Sequence, residues 1–157
     1  MKWIRGAVLV VLLCVVSLLI VPMAFAQSND ALDIVLSEQR LTYGSAALLV
    51  LSATDHIDDE SSFAHASARL DSLGWGIPGR NVSDPVTLGE YAFLLMQAFE
   101  LPGGLMYRVA PGPRYAAREV AALRIAEGTS MVNMSLSGER AVRMLGRAMI
   151  HAEGGRL

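Results

Sequence analysis

A segment of eleven residues recurs along this chain, and such self-similarity constrains the fold more strongly than any local propensity. Residues 41–51 (LTYGSAALLVL) align without gaps on residues 86–96 (VTLGEYAFLLM), and residues 135–145 (SLSGERAVRML) form a third, weaker copy. A shorter similarity relates residues 66–73 (ASARLDSL) to residues 116–123 (AAREVAAL). The sequence therefore predicts tandem units, each a pair of helices with long connections.

Polar residues at the start of each copy are typical of helix N-termini. Thr87 precedes Glu90 by three residues, the spacing at which a hydroxyl and a carboxylate satisfy each other's free backbone amides in a first helical turn. Thr42 opens the first copy, and Glu139 lies at the beginning of the third. We assign Thr42, Thr87, Glu90 and Glu139 to the repeat motif and to helix capping.

The middle copy is apolar on nearly every face from Leu88 to about Phe99, which predicts a helix at the centre of the core. The predicted fold is all-α, with about five helices in two and a half helix-loop-helix repeats over residues 41–152. A lead-in at residues 27–40 precedes this domain, and a short tail at residues 153–157 follows it.

The N-terminus has the organisation of a secretory signal peptide. A basic start is followed by an apolar run over residues 6–21 and then by the small side chains Ala24 and Ala26, which suit a signal peptidase. Residues 1–26 are therefore predicted to be cut before Gln27, which places the chain in the periplasm or elsewhere in the cell envelope. An uncut membrane anchor is the alternative, because about 20 apolar residues suffice to span a bilayer.

Charge is distributed unevenly beyond the predicted signal peptide. Residues 27–104 hold three arginines against eleven acids, whereas residues 105–157 hold eight arginines against four. The overall acidic balance argues against a nucleic-acid partner, whose binding requires a dense basic surface.

The basic half is the candidate binding surface, since guanidinium groups bind carboxylates and phosphates through paired hydrogen bonds. An acidic wall polymer, lipid headgroups or an acidic protein would suit it. The alternative is that the arginines only solvate helix exteriors and pair with acids of the same molecule. The candidate ligand-binding residues are Arg114, Arg118, Arg140, Arg143 and Arg147.

The sequence carries none of three common motifs for catalysis and phosphate binding. The chain contains no Gly-x-Ser-x-Gly turn, no His-Glu-x-x-His pair and no phosphate-binding Gly-x-x-x-x-Gly-Lys loop. His56 stands in the acidic segment 54–62, where a weak divalent-cation site is conceivable, but this segment lacks the ordered ligand alternation of a calcium loop. We expect a solvated acidic loop there, with no metal, no cofactor and no catalytic residue in the domain.

The helix openings resemble the S-layer homology (SLH) repeat, whose hallmark is an Ile-Thr-Arg-Ala-Glu stretch. Residues 86–90 (VTLGE) match this stretch at the hydrophobic residue, the threonine and the glutamate, and Leu88 takes the place of the arginine. At the level of pattern the resemblance extends over residues 41–152. It implies an all-helical repeat domain that attaches envelope proteins to cell-wall polymers through motif arginines and adjoining loops.

These features together predict a non-catalytic, exported envelope module that binds a cell-wall polymer or scaffolds another envelope protein. A small periplasmic hydrolase that uses a carboxylate such as Glu90 or Glu139 is one alternative. A membrane-tethered subunit that retains its N-terminal segment is another, and only in that case is the membrane an expected partner.

Overall fold

The structure is a computed structural model that describes residues 24–58 and 60–155. Within these residues the backbone forms seven helices and no strand, so the predicted all-α class is confirmed. The helices are α1 (Ala24–Ser37), α2 (Tyr43–Ser52), α3 (Phe63–Ser72), α4 (Leu88–Ala98), α5 (Leu105–Val109), α6 (Pro113–Ala122) and α7 (Gly138–Ala152). Most of the predicted signal peptide, residues 1–23, lies outside the described residues.

The chain divides into two compact units, one that ends at Asp33 and one that begins at Ile34. The described part of the first unit is the helical stretch from Ala24 to Asp33. The second unit contains the last turn of α1 and all of α2 to α7.

The prediction of about five helices is wrong in number, because the described residues form seven, and α1 and α5 are not among the helices that the repeats predict. Helix α1 extends through most of the predicted lead-in at residues 27–40. Helix α5 lies in a segment rich in glycine and proline, but Gly103 and Gly104 precede it and Pro111 follows it. Since these residues flank α5 and do not interrupt it, they limit its length without preventing a turn of helix.

Helix α4 lies in the core, as its all-round hydrophobicity predicts, and α2, in which every residue except Ser52 is buried, shares this position. Helix α4 packs against α6 and also contacts α2 and α7, while α2 packs against α3. Leu88, Tyr91, Leu94 and Leu95 of α4 have no exposed surface. The Tyr91 hydroxyl donates a hydrogen bond of 3.2 Å to the carbonyl of Ala141 in α7, which satisfies the polar end of this buried side chain.

Backbone hydrogen bonds link the starts of α2, α4 and α7 in cyclic order. The amide of Tyr43, the first residue of α2, donates to the carbonyl of Asp84 in the segment before α4, at 2.8 Å. The first amide of α4 donates to Met134 in the segment before α7, also at 2.8 Å. The first amide of α7 donates to Glu38 in the segment before α2, at 2.9 Å. The start of each of these three helices is therefore held by the segment that leads into another helix of the three.

A glycine at each of these starts permits the close approach. A Cβ atom on Gly44 would lie 2.7 Å from Cγ1 of Val82, and one on Gly89 would collide with Val132. A Cβ atom on Gly138 would collide with the backbone carbonyl of Val35, which has no side-chain freedom to move away. These contacts explain why glycine recurs near the start of all three copies of the repeated segment.

Replacement of Gly138 by alanine tests whether this packing limits stability. We expect Gly138→Ala to lower the free energy of unfolding by about 1–3 kcal/mol, the usual cost of overpacking. Gly146→Ala in the same helix is the matched control, because Gly146 is exposed and a Cβ atom there meets nothing within 4 Å. That control should stabilise the chain by about 1 kcal/mol through helix propensity. Urea denaturation measures both, and equal effects would contradict the role given to Gly138.

Candidate functional site

Three of the candidate arginines line one small cavity. Arg140, Arg143 and Arg147 follow one another at helical spacing on α7, which places them along one side of the helix. Together with neighbouring side chains they surround a volume of about 110 Å³. We call it the arginine cavity; its lining residues are Ile125, Glu127, Arg140, Arg143, Met144 and Arg147.

Each of these arginines has a different set of partners. Arg140 donates hydrogen bonds to the backbone carbonyls of Glu127 at 2.8 Å and Thr129 at 2.9 Å, so it fastens the preceding loop to α7. Arg143 forms an ion pair with Glu139, and Arg147 forms one with Glu127. Both glutamates are more than two-thirds exposed, at 67% and 70% of their side-chain surface. Because exposed ion pairs contribute little free energy, an acidic ligand can compete for Arg143 and Arg147.

The structure separates the other two candidate arginines from this cavity. Arg114 and Arg118 are exposed on α6 and do not line the arginine cavity. Helix α6 rests on α4 and α5, whereas α7 contacts α2 and α4. The five arginines that the sequence groups together therefore belong to two surfaces.

Three of the four predicted capping residues cap a helix, and the fourth does not. Thr87 and Glu90 form a capping box at the start of α4: Thr87 Oγ1 accepts the Glu90 amide at 3.3 Å, and Glu90 accepts the Thr87 amide at 2.8 Å. Thr42 caps α2 by accepting the Ser45 amide at 3.3 Å. Glu139 is not a capping residue, because Ser137 caps α7 and the Glu139 side chain is paired with Arg143.

An upstream carboxylate completes the cap of α2. Ser45 occupies the position that Glu90 holds in α4 and carries no charge. Glu38 supplies the missing group, accepting hydrogen bonds from the Thr42 amide at 2.8 Å and the Ser45 hydroxyl at 2.7 Å. Sequence reasoning missed this residue because a capping box places its acid three residues after the cap, whereas Glu38 precedes Thr42 by four.

A loop arginine binds the motif glutamate of α4. Arg80 Nε donates to Glu90 Oε1 at 3.1 Å, and a terminal nitrogen of the same guanidinium contacts the same oxygen. Burial by itself would raise the pKa of Glu90, but hydrogen bonds from Thr87 and Arg80 outweigh it and hold the pKa below its usual range. Glu90 is therefore an ionised carboxylate whose oxygens already have donors.

Arg80 also borders a second and larger cavity of about 390 Å³, which we call the loop cavity. Its lining residues are Asp71, Gly74, Gly76, Ile77, Pro78, Gly79 and Arg80. Tyr43 holds this loop in place, since its hydroxyl donates to Asp71 at 2.8 Å and accepts the Ile77 amide at 3.2 Å. Burial, followed by the hydrogen bond to Asp71, raises the pKa of Tyr43 to about 12. The phenol therefore stays protonated and remains a donor at neutral pH.

The chain matches no known protein-family model, no curated protein and no solved structure. Among the described residues, no group of three or more histidines, cysteines, aspartates or glutamates is placed to hold a metal ion. No helix in the described ranges combines the length and hydrophobicity that a membrane span requires.

Removal of the upstream carboxylate tests the cap of α2. Glu38→Ala is expected to lower the free energy of unfolding by about 1–2 kcal/mol, because it leaves the Thr42 amide and the buried Ser45 hydroxyl without their acceptor. Glu139→Ala is the control, since it removes only an exposed pair and should cost less than about 0.5 kcal/mol. Thermal or urea unfolding distinguishes the two variants; similar losses would show that Glu38 contributes no more than a surface charge.

The ionisation of Glu90 predicts a loss of stability in acid. Because the pKa of Glu90 is lowered in the folded chain, its contribution is complete above the unfolded-state pKa of about 4.3 and is lost as the pH falls through the lower folded-state value. Glu90→Gln should therefore destabilise the chain at pH 7 yet reduce the further loss between pH 5 and pH 3. Urea midpoints measured across this range provide the test. Parallel pH profiles for the variant and the original chain would refute the assignment.

Proposed function

We propose that this chain is a non-catalytic, exported envelope module of SLH-like repeats that binds acidic groups of a cell-wall polymer in its arginine cavity. The observation that carries the proposal is the convergence of Arg140, Arg143 and Arg147 on one cavity with only exposed carboxylates as competitors. Guanidinium groups bind carboxylates and phosphates through two parallel hydrogen bonds, which suits repeated acidic substituents.

The dimensions of the cavity favour a small acidic group. A volume of about 110 Å³ is a few times the roughly 30 Å³ that one water molecule occupies in the liquid. A carboxylate or phosphate substituent fits such a space, while the rest of the polymer would remain outside. Arg140 would keep the loop in position, and Arg143 and Arg147 would exchange their glutamates for the ligand.

The arrangement of the helix starts supports the repeat part of the proposal. Three helices that begin with Thr42, Thr87 or Ser137 as the cap share one backbone contact pattern, although their sequences differ. Arg80 brings a guanidinium to the VTLGE segment, in which Leu88 stands at the arginine position of the SLH motif. The predicted signal peptide is consistent with export, and it remains a prediction from residues 1–26.

The alternative of a carboxylate-dependent hydrolase finds less support. A general acid at neutral pH needs a raised pKa, and the pKa of Glu90 is lowered by its donors. Glu139 is exposed and paired with Arg143. Glu90 is largely buried but not isolated from hydrogen-bond donors, and Glu139 is exposed, so neither has the environment that acid catalysis requires.

Retention on purified cell-wall sacculi tests the binding proposal. We expect Arg143→Gln with Arg147→Gln to reduce retention at least tenfold, because a tenfold change corresponds to about 1.4 kcal/mol and a single charge-assisted hydrogen bond contributes roughly 1.5–3 kcal/mol. Arg114→Gln with Arg118→Gln is the matched control: it removes the same charge from α6 and should leave retention unchanged.

Chemical blocking of the acidic groups on the sacculi provides the complementary test. Amidation of wall carboxylates and removal of phosphate-bearing polymers should together abolish retention of the unmodified chain. Equal losses from both arginine pairs would show non-specific charge attraction, and retention that survives the α7 substitutions would refute the arginine cavity as the binding site.

A further inference from the structure

Helix α5 exposes an apolar surface that the fold does not use. Leu105, Met106 and Val109 are 72%, 55% and 74% exposed, and no residue of this helix is buried. On the opposite side Tyr107 packs edge to face on Phe93 of α4, with ring centroids 6.4 Å apart. This contact holds α5 against the domain, and the three apolar side chains are directed outward. We call Leu105, Met106 and Val109 the α5 surface.

Exposed arginines occur on α5 itself and on the helix that contacts it. Arg108 is part of α5, and Arg114 and Arg118 lie on α6, which contacts α5. Among the described residues, the arginines that form ion pairs are Arg80, Arg143 and Arg147. The three arginines of α5 and α6 are therefore not in an ion pair there. Glu119 of α6 lies close to the start of α5, since a Cβ atom on Gly104 would lie 2.8 Å from its carboxylate. Helices α5 and α6 together therefore carry three arginines against one acid.

We propose that the α5 surface docks on an anionic lipid bilayer. Leu105, Met106 and Val109 enter the boundary between headgroups and acyl chains, and Arg108, Arg114 and Arg118 bind lipid phosphates. Apolar side chains bordered by cations are the combination that interfacial membrane segments use. Guanidinium groups bind phosphate oxygens through paired hydrogen bonds, which fixes the depth of insertion.

The size of the surface favours lipid over protein. A stable protein interface buries about 800 Å² on each partner and involves some 20–30 residues on a side. Three side chains on a five-residue helix provide far less. Insertion into a bilayer requires no complementary shape, because lipid chains rearrange around each side chain.

Fluorescence quenching by brominated acyl chains measures insertion directly. The full chain, with Cys14→Ser to remove its only cysteine, carries a single fluorophore through Val109→Cys or, as the control site, through Ala68→Cys on an exposed position of α3. We expect phosphatidylglycerol vesicles to quench the probe at position 109 and phosphatidylcholine vesicles to leave it unquenched. The probe at position 68 should be unquenched in both.

Charge variants test the role of the arginines in the same assay. The triple substitution Arg108→Gln, Arg114→Gln and Arg118→Gln should reduce quenching at position 109 to the phosphatidylcholine value, since each arginine near an anionic surface strengthens binding about fivefold. Arg69→Gln, an exposed arginine on α3, is the matched control and should change nothing.

Two results would overturn the proposal. Absence of quenching at position 109 in phosphatidylglycerol vesicles would show that the α5 surface does not insert, and equal quenching at positions 68 and 109 would show only that the chain is held near the membrane. Failure of wall binding is a separate outcome, because sacculus retention depends on Arg143 and Arg147 whereas lipid insertion depends on α5 and α6.

Discussion

Close backbone contact among three helix starts is the constraint on which the rest of this domain depends. The amide of Leu41 donates to the carbonyl of Leu136 at 2.7 Å, and the amide of Val86 donates to Leu41 at 2.9 Å. All three of these residues are buried directly before a helix cap. Because a buried amide without an acceptor is costly, the segments that meet here cannot shift independently. The loops that enclose both cavities lead into these same segments, so their positions are fixed by the contact.

The third residue of α2, of α4 and of α7 binds the segment before its helix, in each case through a different functional group. Ser45 in α2 donates to Glu38, Glu90 in α4 accepts from Arg80, and Arg140 in α7 donates to the carbonyls of Glu127 and Thr129. In each case the side chain binds the segment that precedes its own helix. A hydroxyl, a carboxylate and a guanidinium therefore occupy equivalent positions. By its cap, the third copy is shifted by one residue from the alignment of residues 135–145, which sets Glu139 against Glu90. The shift and the different side chains explain why the third copy looks weak in sequence although its helix begins in the same way.

Local chemistry made much of the fold predictable from sequence. The burial of α4 follows from its lack of a polar face, and the Thr87–Glu90 box follows from spacing alone. Interactions set by tertiary contact were not predictable in this way. The Arg80–Glu90 pair joins a loop to a helix, Glu38 acts from outside the spacing of a capping box, and the separation of Arg114 from Arg140 depends on which helices pack together. Helix α5 was missed because its flanking glycines and prolines also predict a loop.

The partners of the arginines determine which of them can bind a ligand. Arg140 satisfies two backbone carbonyls, so its release would leave both without a donor and would free the loop that carries Glu127. Arg143 and Arg147 face exposed carboxylates, and an acidic group that replaces those carboxylates leaves two solvated glutamates at little cost. Hence Arg140 has a structural role within the arginine cavity, and in the proposed function the affinity for an acidic group would depend on Arg143 and Arg147. The side chains of Arg143 and Arg147 make no contact with the backbone groups that join the helix starts, so substitutions there test binding separately from stability.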